Sequence, residues 1–157
     1  MVDVERSIVV RATQERVWAA IVDSKEFGAW FGAEFDGPFE VGRTTTGRIV
    51  PTTVDAEVAA AQEPHRGSPI AAVVIAIEPP TRFAFRWQPA PGSDVLTTVE
   101  FRLAAEGDGV RVTITEDGFG ALPEDIRDQA RESNDGGWEA QTRLLGAYLE
   151  RTSLERP

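Results

Sequence analysis

Between residues 82 and 115 apolar side chains recur at every second position, the period that turns one face of a β-strand toward a core. Phe83, Phe85 and Trp87 share one face of a strand over Arg82–Trp87, and Val95, Thr97, Val99, Phe101 and Leu103 share one face of the next. Gly107-Asp108-Gly109 then predicts a tight turn into a third strand, with Val110, Val112 and Ile114 inward. Upstream, Ile70 to Ile77 is a nearly unbroken β-branched run stopped by Glu78-Pro79-Pro80, as in a buried strand.

The first fifty residues change period. Val4 to Arg11 reads as a strand, and Ala12-Thr13 offers a cap for a helix with Val17, Trp18, Ala20 and Ile21 on its apolar side. Asp23 caps a second short helix carrying Phe27, Trp30 and Phe31, with Glu26 in the capping-box position. Gly37-Pro38 and Val41-Gly42 mark turns, and Arg43 to Val50 alternates like a half-buried strand with Gly47 as a bulge. Pro51 to Pro69, Ala-rich at its centre, reads as a loop or a short helix.

After Asp117-Gly118-Phe119-Gly120 breaks the sheet, Pro123 opens a long helix that runs to about Glu150 or Arg151. Its inward stripe is Ile126, Ala130, Asn134, Gly137, Trp138, Gln141, Leu144, Leu145 and Tyr148. The order is strand, two short helices, consecutive antiparallel strands and a terminal helix. It predicts an α+β fold in which a curved antiparallel sheet is closed by that helix. The 157 residues fit one domain spanning 1–157.

Composition narrows the function. With no cysteine there are no disulfides, thiolate metal sites or cysteine nucleophiles, which fits a reducing compartment. The N-terminus lacks the basic and apolar regions of a signal peptide, no stretch reaches the length of a membrane span, and a cytoplasmic location is expected. A net charge of −10 disfavours nucleic acid and anionic membranes as partners. The single histidine, His65, lies in the Pro51 to Pro69 segment. No HExxH, phosphate loop or histidine pair is present, so neither a metal nor a cofactor is expected.

The inward rings leave two outcomes, a filled core or a concave pocket between the sheet and the helix. Gly136-Gly137 within the helix points to a kink or a close approach to the sheet, and Asn134 and Gln141 put two amides on the stripe that faces it. The candidate ligand-binding residues are therefore Trp30, Phe85, Trp87, Phe101 and Trp138 as apolar walls, with Asn134 and Gln141 as orienting groups. Glu116 continues the inward phase of Val112 and Ile114, which makes it either an acid/base group or a rim carboxylate facing water. Glu124, Asp128, Glu132, Asp135 and Glu139 run along one helical face with Arg127, Arg131 and Arg143 nearby, the pattern of a solvated surface.

Val17-Trp18, Trp30-Phe31, Ile77-Glu78-Pro79-Pro80, Phe83-x-Phe85-x-Trp87, Thr115-Glu116-Asp117-Gly118-Phe119 and Gly137-Trp138 with Leu144, Leu145 and Leu149 stand in an order that resembles the START-like, or SRPBCC, superfamily. The branch is the one homologous to the C-terminal domain of the activator of the heat-shock protein 90 ATPase, and the likeness spans Val4 to about Arg151. It implies a helix-grip fold whose cavity holds lipids, sterols, polyketides or other apolar molecules, with no shared catalytic set. The chaperone activator also carries an N-terminal domain without a counterpart here, and the Pro51 to Pro69 segment departs from the compact connection expected of the branch, as a lid would. The expected function is binding of a small hydrophobic or aromatic molecule, its identity open. The alternatives are a cyclase- or hydrolase-type enzyme using Glu116 as base in the same cavity, or a co-chaperone-like protein-interaction domain. The residues themselves do not indicate a protein partner.

Overall fold

In the computed structural model, which describes residues 3–154, the alternating segments become seven strands. They are β1 (Val4–Val10), β2 (Ala33–Phe35), β3 (Thr44–Ile49), β4 (Pro69–Glu78), β5 (Arg82–Trp87), β6 (Thr97–Glu106) and β7 (Gly109–Asp117). All belong to one sheet in the order β1-β7-β6-β5-β4-β3-β2, with every neighbouring pair antiparallel. The helices are α1 (Gln14–Val22), α2 (Ser24–Phe31), α3 (Ala56–Gln62) and α4 (Glu124–Leu154). This is the α+β helix-grip arrangement, a curved sheet around a long C-terminal helix with two short helices after the first strand. Among the described residues no helix is long and apolar enough to cross a membrane.

Local chemistry sets the two short helices. The Thr13 hydroxyl accepts from the Arg16 N–H at 3.1 Å, and α1 buries Val17, Ala20 and Ile21 at helical spacing. The Asp23 carboxylate accepts from the N–H groups of Lys25 and Glu26 at the start of α2. Glu26 occupies the capping-box position but is engaged elsewhere, with Arg16 at 2.8 Å and the Tyr148 hydroxyl at 2.7 Å, and so ties α1, α2 and α4 together. Gly32, at φ +99°, ends α2 with its N–H on the Gly28 carbonyl and turns the chain into β2.

Several expectations shift in detail. Gly47 is not a bulge: a Cβ there would lie 2.3 Å from the Glu34 carbonyl of β2, so glycine lets that edge strand close in. The irregular register falls instead between Val74 and Ala76 of β4. Val95 precedes β6, which runs on to Glu106, and the turn that follows is only Gly107-Asp108. Pro51 to Pro69 forms α3 and a single 3₁₀ turn, Glu63–His65.

Helix α4 packs chiefly against β1 and α2. Arg6 of β1 grips Asp135 through two hydrogen bonds of 2.8 and 2.9 Å, and at Gly146 an added Cβ would lie 2.8 Å from Ile8 Cδ1. The close approach of helix to sheet is thus at Gly146. At Gly136 and Gly137 the helix runs on unbroken, and a Cβ would meet nothing within 4 Å. Ile126, expected on the inward stripe, is 38% exposed, whereas Trp138, Leu144, Leu145 and Leu149 are buried.

Candidate functional site

The wide core beneath α2 is filled with rings. Phe27 lies within 6.5 Å, centroid to centroid, of Trp30, Phe31, Phe85 and Phe101, and the Trp30 indole N–H donates to the Ala20 carbonyl at 2.9 Å. Beyond this cluster, toward α3 and the ends of β4 and β5, packing stops. A cavity of about 580 Å³ opens there, bounded by Phe31 of α2, Ile70 of β4, Trp87 of β5, Gln62 of α3 and the middle of α4. The glycine at 137 faces this space, so the helix contributes backbone where a side chain would fill it.

Of the sequence candidates, Trp87, Asn134, Trp138 and Gln141 line the cavity together. Trp30, Phe85 and Phe101 do not: they are at most 2% exposed and belong to the ring-filled core. Trp87 and Trp138 stack with centroids 5.5 Å apart and planes 28° apart, joining β5 to α4 in one wall. His65 stands exposed on the cavity's rim.

Glu116 is neither on the rim nor in water; it is fully buried. Its position follows from register, since Val99 of β6 pairs with it on one side and Val4 of β1 on the other. Oε2 accepts from the Trp87 indole at 2.9 Å and the Thr97 hydroxyl at 2.5 Å, while Oε1 accepts from the Trp138 indole at 2.8 Å. Asn134 Nδ2 lies 3.1 Å from both oxygens. The carboxylate therefore receives donors from β5, β6 and two turns of α4, which meets the requirement that a buried polar group be fully hydrogen-bonded. Two of these donors are the stacked indoles, so Glu116 fixes the cavity wall from behind.

A second polar node lies at the end of α2, whose last carbonyls have no partner within the helix. The Phe31 carbonyl accepts from Gln62 Nε2 of α3 at 2.9 Å and from Gln141 Nε2 of α4 at 3.0 Å. Gln62 Oε1 in turn accepts from the Thr52 N–H at 2.8 Å. Gln141 Oε1 is buried with no partner, a situation that costs about 1–3 kcal/mol. Sequence reasoning missed Gln62, because the Ala-rich segment around it gives no face to read. It placed Thr97 inward but gave it no role; the signal was there, a hydroxyl in the same phase as Val99 and one strand from Glu116.

Elsewhere, Asp135 is held below its ordinary carboxylate range by its hydrogen bonds from Arg6. Glu139 meets Arg143 at 3.5 Å, as on a solvated helix face. Among the described residues no group of three or more His, Asp or Glu is placed to hold a metal ion.

Solved structures share the fold at low identity. Protein MLL2253 from Mesorhizobium loti matches with a TM-score of 0.71 and 20% identity, covering 95% of this chain and 97% of that one. The Aha1 dimer from Colwellia psychrerythraea gives a TM-score of 0.69 at 16% identity, covering 94% and 95%. DynU16, a putative protein in the dynemicin biosynthetic locus, gives 0.67 at 22% identity; it covers 94% of this chain, which spans 46% of DynU16. No curated protein matches the sequence significantly. Residues 11–150 match the family described as Activator of Hsp90 ATPase homolog 1-like protein, and with that match over most of its length the chain belongs to this family.

Proposed function

We propose that this protein binds a small hydrophobic or aromatic molecule in the cavity between α4, the ends of β4 and β5, and α3. The observation that carries the reading is the unfilled space of about 580 Å³ beside the stacked pair Trp87 and Trp138. That volume falls in the range of small-molecule sites, and the wall combines apolar rings with a few convergent amides, the usual composition of such sites. Membership in a family of the START-like superfamily, a ligand-binding fold in general, supports the same reading. Trp87 and Trp138 form the apolar wall, Asn134 and Gln141 orient the ligand, and Glu116 is a positioning residue. Each Glu116 oxygen already accepts from protein donors, so the carboxylate has no free lone pair with which to take a proton from a substrate.

Titrating a panel of apolar aromatic compounds while following tryptophan fluorescence and melting temperature tests the reading. Binding shifts both, and Gly137→Leu, which projects a side chain over the space, abolishes the shift while the protein stays folded. No response from any compound, or an unchanged response in Gly137→Leu, would overturn it.

A further inference from the structure

The polar atoms of the cavity are sorted by type. Four amide side chains line it, Gln62, Gln88, Asn134 and Gln141, and each directs its nitrogen at a protein acceptor. Gln62 and Gln141 donate to the Phe31 carbonyl, Gln88 to the Ser93 carbonyl, and Asn134 to the Glu116 carboxylate. Because every one of those partners is an oxygen that only accepts, the partners fix which end of each amide is nitrogen. Both indole N–H groups of the wall are likewise turned away from the cavity, onto Glu116. The oxygen of Gln62 is taken by the Thr52 N–H. Among the described residues nothing donates to the oxygens of Gln88, Asn134 or Gln141, and that of Gln141 is buried. No lysine, arginine or carboxylate among the described residues lines the space, and the hydroxyls of Ser68 and Ser133 and the His65 ring lie on exposed residues where water competes.

Resting on the binding reading above, we propose that the cavity selects a neutral, apolar molecule bearing an O–H or N–H donor and rejects carboxylates, phosphates and sulfates. A donor on the ligand meets the unpartnered Asn134 oxygen on the wall, and that of Gln141 once its side chain turns toward the space. An anion entering the same space meets carbonyl oxygens, loses its hydration and finds no cation, with a buried carboxylate behind the wall. The net charge of −10 disfavours an anion's approach as well.

Three probes of one shape separate these effects: 2-naphthol, 2-methoxynaphthalene and 2-naphthoate, each titrated calorimetrically into the intact protein at neutral pH. The hydroxyl probe is expected to bind about tenfold more tightly than the ether, one hydrogen bond's worth, and the carboxylate is expected to give no measurable binding. In Asn134→Leu the advantage of hydroxyl over ether falls to about one while the ether still binds. If that variant fails to fold, the ranking of the three probes on the natural protein decides alone. Naphthoate binding as well as naphthol, or naphthol and its ether binding alike, overturns the proposed selectivity and leaves a cavity that binds apolar molecules. Failure of all three to bind removes the binding reading itself, and this inference with it.

Discussion

Four side chains from three elements converge on the Glu116 carboxylate, and each supplies a hydrogen. Glutamine at this position keeps the shape and exchanges one acceptor for an NH₂ group, which cannot accept from an indole. At least one buried donor is then orphaned. Glu116→Gln should therefore lose about 2–4 kcal/mol of stability in urea unfolding, more than a typical surface exchange. A loss below about 0.5 kcal/mol would mean that the network contributes little to the fold. The inward phase of Glu116 was legible in sequence, since the alternation of Val112 and Ile114 carries through to it. Its burial was not, because the groups that make burial tolerable lie at 87, 97, 134 and 138, and no local pattern announces that they meet.

At the scale of elements, α4 shows which sequence signals survive folding. The helix, its position and its apolar stripe follow from period and from Pro123, yet the meaning of its glycines does not. A glycine facing a cavity and one pressed against a strand carry the same letter; Gly137 is the first case and Gly146 the second. Gly137→Ala should raise stability by about 1 kcal/mol, because it gains helix propensity and meets no neighbour, and thermal or urea unfolding will report it. The strands carry a pH-dependent contribution on their outer face. Burial pushes the Glu100 carboxyl up, but hydrogen bonds from Arg82 and Arg102 outweigh it and hold the group below its ordinary value of 4.5. Stability from these pairs is thus present above that value and is lost as pH falls through the lower folded one. Natural protein and Glu100→Gln should differ at neutral pH by less than about 1 kcal/mol, given solvent screening, and the difference should vanish in acid. A gap that persists at low pH would point to packing as its source.

Across the whole molecule, α4 covers the β1 side of the sheet, α2 fills the middle with rings, and the cavity is left where neither reaches. Sequence period put Phe85, Trp87 and Phe101 on one face but could not divide them between core and wall. That division depends on how far α2 extends over the sheet, a long-range property. The cavity's remaining side is closed by α3, which contains no fully buried residue and is fastened by Val58, half-buried against the core, and by Gln62, bonded to the Thr52 N–H and the Phe31 carbonyl. An element with so little burial opens at a fraction of the global unfolding free energy. Its amides should therefore exchange with deuterium well before those of β5 to β7, and Gln62→Ala should speed exchange in α3 without changing it in the strands. A ligand in the cavity should slow α3 exchange in the natural protein and leave faster from Gln62→Ala, because the Phe31 carbonyl would then be held by Gln141 alone. Exchange in α3 as slow as in the central strands would show instead that this side of the cavity does not open locally.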